Sequence, residues 1–98
     1  MVGDSLNKTG ANLLIKALQE NNINRMYEIV GIPVTYLARL AELRGMKYYG
    51  FHREDSAVNA AVATGYLTQK TGVALTVSAP GFLNGLTALA QATKNCFP

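Results

Sequence analysis

Two acids stand side by side at Glu54-Asp55, directly after the chain's one histidine and an arginine in His52-Arg53. A carboxyl group within hydrogen-bond reach of a ligand can take or return a proton. Two acids in the first turn of a helix are also favoured by its dipole, by about 0.3–1 kcal/mol, with no chemistry at all. Ser78-Ala79-Pro80-Gly81-Phe82-Leu83-Asn84 is a second candidate. The free amides of a helix start there could bind an anion or nothing. Its spacing matches neither Gly-x-Gly-x-x-Gly nor the Walker phosphate loop. Gly31-Ile32-Pro33 is the third, and taken alone it reads as a strand-to-helix turn, since Gly relieves backbone sterics and Pro presets a helical φ. His52 reads as a local hydrogen-bonding residue and Cys96 as a small buried hydrophobe, not as a catalytic pair. One histidine and one cysteine so far apart give no zinc or iron site, and a single cysteine gives no internal disulfide.

The elements that must position these segments follow from apolar spacing. Ala11, Leu14, Ile15 and Leu18 fall on one face of a helix from Thr9 to Asn21, with Thr9 as N-cap. Met26–Val30 reads as a strand stopped by Gly31 and Pro33. Val34, Leu37, Ala38 and Ala41 repeat the helical spacing, and Gly45 sits where a left-handed residue is wanted. Lys47–Phe51 is a second strand, followed by a small-residue helix over about Asp55–Gln69 with Gly72 marking its end. Val73–Ser78 is the clearest strand, and Phe82 to about Lys94 is the last helix. Strand and helix in regular alternation predict an α/β fold: a parallel sheet of three strands with about four helices on both faces. In such sheets ligands bind beyond the carboxyl ends of the strands, which is where all three candidate segments fall.

Composition narrows the class further. The 98 residues are 49% hydrophobic and 15% charged, which is globular, and a chain of this size buries roughly 60–70% of its surface in one modest core. The net charge is +3, but the nine basic residues are scattered singly, so no nucleic-acid partner is expected. Thr71 to Thr93 is uncharged and long enough to span a bilayer; Pro80, Gly81, Asn84, Gly85 and Gln91 interrupt it, so no membrane span is expected. A cytoplasmic location is the default expectation. The alternation breaks off at Phe97-Pro98, where another strand should begin, so a truncated domain is expected.

Four runs taken in order carry a resemblance. They are Val30-Gly31-Ile32-Pro33-Val34-Thr35, Gly50 to Ala57 around Glu54, Leu67-Thr68-Gln69-Lys70, and the long run from Leu75 to Ala90. Together, over about Leu6 to Pro98, the chain resembles the N-terminal part of the oxalyl-CoA decarboxylases, which depend on thiamin diphosphate. The 2-hydroxyacyl-CoA lyases look similar, and the acetohydroxyacid synthases more distantly so. The resemblance implies the first part of a pyrimidine-binding domain, with Glu54 at the position of the family's activating glutamate. There a carboxyl hydrogen-bonded to the cofactor's pyrimidine nitrogen favours the imino tautomer that takes the thiazolium proton, while the cofactor carries the carbanion chemistry. The resemblance also implies that Pro80, Gly81 and Asn84 shape the cofactor pocket and that Ile32 and Pro33 border the site. Its reaction converts oxalyl-CoA to formyl-CoA and carbon dioxide.

Two stretches depart from what the family often has. Glu28 stands where Gly is frequent, and His52, Arg53 and Asp55 replace an Arg-His before the glutamate and a Gln after it. Nothing in the sequence resembles the Gly-Asp-Gly motif that holds the cofactor's diphosphate and Mg²⁺. Those ligands are expected outside this chain, with none of its residues binding metal, and the chain alone is expected to be inactive. A homodimer or homotetramer of the full-length protein, acting on oxalyl-CoA or a related acyl-CoA, is the expected assembly. A 2-hydroxyacyl-CoA lyase fragment and a non-catalytic α/β interaction module are the alternatives.

Overall fold

The Thr9 hydroxyl starts the first helix by accepting a hydrogen bond from the Asn12 N–H at 3.2 Å, which satisfies one of the donors that a helix start leaves open. The computed structural model describes residues 9–98. Its elements run α1 (Gly10–Glu20), β1 (Arg25–Glu28), a 3₁₀ turn (Ile32–Val34), α2 (Thr35–Leu43), β2 (Lys47–Gly50), α3 (Glu54–Thr68), β3 (Ala74–Leu75) and α4 (Pro80–Asn95).

The strands form one sheet in the order β2-β1-β3, and both pairings are parallel. Met26 of β1 is buried with Ile15 of α1, Ala41 of α2 and Met46 on one face of the sheet. Tyr27, the next residue, points to the other face, where its hydroxyl meets Thr64 Oγ1 of α3 at 2.5 Å and its ring stacks on Tyr49. This alternation places α1 and α2 on one face and α3 on the other. Helix α4 packs beside α3 at Gly85, where a β-carbon would stand 2.8 Å from Val58 Cγ2. The α/β parallel sheet covered on both faces is therefore as the alternation predicts.

Several details differ from expectation. The buried face of α1 is Asn12 and Ile15, with Leu18 against the core, while Leu14 is 47% exposed. The end of α2 holds α1 in this rotation: Arg44 Nη2 donates to Asn12 Oδ1 at 2.6 Å, and Gln19 Nε2 donates to the Arg44 carbonyl at 2.8 Å. The third strand is Ala74–Leu75 only, because it lies at the sheet edge and its one neighbour, β1, ends at Glu28. Helix α3 stops at Thr68, within one residue of the expected end, and Gln69 takes the left-handed conformation (φ 58°). Helix α4 begins at Pro80, which suits a first helical position. Gly45 does adopt the left-handed conformation after α2 (φ 86°). Cys96 is exposed at the end of α4, not buried. No helix among the described residues is long and apolar enough to cross a membrane.

Candidate functional site

Because all three strands point the same way, the loops leaving their carboxyl ends gather on one rim of the sheet. The loop after β2 leads into α3, whose first residue is Glu54; the loop after β3 leads into α4, whose first two residues are Pro80 and Gly81. Asn84 lies one helical turn into α4, and its Nδ2 donates to Glu54 Oε1 at 3.2 Å. Gly81 is buried beneath the same carboxyl group: a β-carbon there would stand 3.6 Å from Glu54 Oε2 and 3.9 Å from its Cγ. Glu54 is thus held from two sides by α4 while its second oxygen stays without a hydrogen bond among the described residues.

The loop after β1 joins this rim through Val77. A β-carbon on Gly31 would fall 2.5 Å from Val77 Cγ2, a clash, so only glycine allows this approach; the Val77 side chain in turn lies 3.5 Å from the same point on Gly81. Pro33 then opens the 3₁₀ turn that precedes α2. Ile32, 96% exposed, and Pro33 and Pro80, also exposed, stand on the rim with their apolar surfaces open to solvent. Glu54, Gly81 and Asn84 are therefore in contact, and Ile32, Pro33 and Pro80 lie on the turns beside them.

The neighbouring polar residues are accounted for without a ligand. Arg53 Nε donates to Asp55 Oδ1 at 3.1 Å, and that bond is the first cause holding the Asp55 carboxyl below its ordinary range. Asp55 Oδ1 also accepts from the Ser56 N–H at 2.9 Å. His52 is exposed and makes no hydrogen bond among the described residues, so the local hydrogen-bonding role expected for it is absent. A polar cleft of about 310 Å³ runs along the outer side of the pair, between Arg53, Asp55 and Asn59 on one wall and Asn84, Thr87 and Gln91 on the other. No group of three or more His, Cys, Asp or Glu side chains that could hold a metal ion occurs among the described residues.

One feature of the rim had no sequence signal. Ala79, between β3 and Pro80, has φ 58° and ψ −119°, a backbone region that belongs to glycine. Its position before proline disfavours the right-handed helical conformation, but not in a way that selects this one.

The family model described as thiamine pyrophosphate enzyme, N-terminal TPP binding domain, matches residues 8–98. The chain belongs to this family. Among curated proteins, this family member is 57% identical to oxalyl-CoA decarboxylase of Escherichia coli (strain K12) over 98 residues, which is 99% of the chain and 17% of that protein. It is 46% identical over 89 residues to 2-hydroxyacyl-CoA lyase of Arabidopsis thaliana, covering 91% of the chain and 16% of that protein. It is 43% identical over 90 residues to 2-hydroxyacyl-CoA lyase 1 of Homo sapiens, covering 92% of the chain and 16% of that protein. The chain therefore spans about a sixth of the length of these relatives, 17% for the bacterial decarboxylase.

Proposed function

We propose that this chain is the first part of the pyrimidine-binding domain of a thiamin-diphosphate-dependent oxalyl-CoA decarboxylase, and that Glu54 is the group that activates the cofactor. The observation that carries the reading is the Glu54–Asn84 hydrogen bond over buried Gly81, on the rim where the three parallel strands end. The residues present fit the pyrimidine end of the cofactor. Glu54 offers one anchored oxygen and one open one, and Ile32, Pro33 and Pro80 offer exposed apolar surface for a flat heterocycle. Thiamin diphosphate supplies an electron sink for the carbanion chemistry when bound.

Each side chain then has a defined task. With the cofactor bound, Glu54 would present its second oxygen to a ring nitrogen of the pyrimidine, where a carboxyl group can share a proton with the ligand. Asn84 fixes the orientation of the carboxyl group by occupying Oε1. Gly81 leaves the Glu54 carboxyl uncovered on that side, where a β-carbon would come into van der Waals contact with Oε2 at 3.6 Å. Mg²⁺ and the diphosphate are held by residues outside this chain. The full-length protein is a homo-oligomer acting on oxalyl-CoA, in the cytoplasm.

Identity favours oxalyl-CoA over longer 2-hydroxyacyl-CoA substrates, 57% against 46% and 43%. The test is turnover by the full-length protein. Oxalyl-CoA should give formyl-CoA and carbon dioxide, and Glu54→Gln should lower the rate by about 10²–10⁴-fold with the circular dichroism spectrum unchanged. Near-normal activity of Glu54→Gln would refute the glutamate's role. Cleavage of a 2-hydroxyacyl-CoA with no decarboxylation of oxalyl-CoA would replace the substrate with that of the lyases.

A further inference from the structure

Glu28 ends β1 with its side chain 1% exposed, and neither carboxylate oxygen has a hydrogen-bond partner. Ionising a carboxyl group in such a place is costly, so the surroundings favour its proton-bound form. Glu28 points to the same sheet face as Met26, toward α1 and α2, and is in register with Gly50 of β2 and Leu75 of β3, whose side chains offer no polar atom.

The charged groups around that face do not relieve it. On α2, Glu42 adds a like charge, and Arg39 is paired with Glu42 at 3.9 Å. Arg44, just after α2, reaches Asn12, while Lys16 of α1 pairs with Glu20 in solvent at 3.9 Å. Tyr48 of β2 shares the face at the register of Met26, and β3 brings only Ala74 and Leu75. Burial, and after it Glu42, push the Glu28 carboxyl above its ordinary range.

The backbone of the same residue ties the site together. Its carbonyl accepts the Phe51 N–H at 2.9 Å, three positions before Glu54, and the Gly31 turn begins three positions after it. We propose that Glu28 is a proton-operated latch. When neutral it lets α2 close over β1 and keeps the Phe51 junction that feeds α3; when ionised it leaves its apolar seat and loosens that layer. Because the native state holds the proton more tightly than the unfolded chain, this layer is most stable below the ordinary glutamate range and loses stability as pH rises through the raised value.

Hydrogen exchange of the full-length protein, measured from mildly acidic to alkaline pH and corrected for intrinsic exchange rates, tests the latch. Protection of residues 26–51 should fall by up to about tenfold per pH unit across the titration, while residues 80–95 keep theirs. Glu28→Gln, a neutral isostere, should flatten the dependence. Glu28→Gly, which installs the residue frequent in the resembling family, should flatten it too and decides the matter if the glutamine variant does not fold. A flat wild-type profile, or a variant with the wild-type slope, overturns the proposal.

Discussion

Glu54 and Asp55 are the same functional group one residue apart, and their neighbours separate them. Asp55 is engaged by Arg53 and by the Ser56 N–H in solvent, whereas Glu54 faces α4, with Asn84 on one oxygen. Asp55→Asn should therefore leave turnover within about twofold of wild type, since exposed pairs of this kind contribute little. Asn84→Ala should lower it about tenfold, the effect of losing one hydrogen bond of roughly 1.4 kcal/mol. Steady-state kinetics on the full-length protein distinguish the two, and equal effects would mean that the Asn84 bond does not orient the carboxyl group. Ala79 makes a different demand. Its φ of 58° and ψ of −119° cost about 1–3 kcal/mol for a residue with a β-carbon. Glycine relieves that at an entropy cost of about 0.4–1 kcal/mol, so Ala79→Gly should stabilise the protein by about 1 kcal/mol in chemical denaturation.

At the level of elements, the site depends on how closely two helices approach. α3 and α4 meet where Gly85 has no side chain, 2.8 Å from Val58 Cγ2 for any β-carbon placed there, and the Glu54 carbonyl oxygen lies 3.9 Å from the same point. Gly85→Ala must separate the helices or twist Val58 from its rotamer, an overpacking penalty of about 1–3 kcal/mol. The separation that relieves Val58 also widens the gap between Glu54 and Asn84, so turnover should fall together with the melting temperature. A stability loss with unchanged turnover would show that the helices adjust without moving the carboxyl group.

The whole molecule has a thin core. Among the described residues, six of the nine buried apolar residues are alanines, including Ala38, Ala57 and Ala88, and Ile15 and Met26 are the large apolar side chains that are fully buried. Ile15 joins Met26, Ala41 and Met46 in the cluster that holds α1 and α2 to the sheet. Ile15→Ala should cost about 2–5 kcal/mol, a large share of the 5–15 kcal/mol typical of a folded domain. Thermal unfolding of the full-length protein should show early loss of protection in α1 and β1, ahead of α3 and α4. Between α3, α4 and the open side of β3 runs an apolar groove of about 250 Å³ that includes Val58, Ala74, Leu86, Leu89 and Phe97. A domain built this way keeps its rim residues in place through small-residue helix contacts more than through bulk hydrophobic burial.

Local sequence determined the order and kind of the elements: Thr9 capping α1, Pro33 opening a helical turn, Gly45 closing α2, and the alternation that requires parallel strands with their loops on one rim. These follow from backbone preference and apolar period, which act within a few residues. The same alternation put Glu54, Gly81 and Asn84 on that rim, and the resemblance supplied the roles expected of them. Only the tertiary structure decided that Asn84 holds Glu54, that Leu14 faces solvent, that Ala79 is strained, and that Glu28 is sealed from water. Each of those outcomes depends on which distant surfaces meet, and a charge or a torsion takes its energy from that meeting, not from its neighbours along the chain.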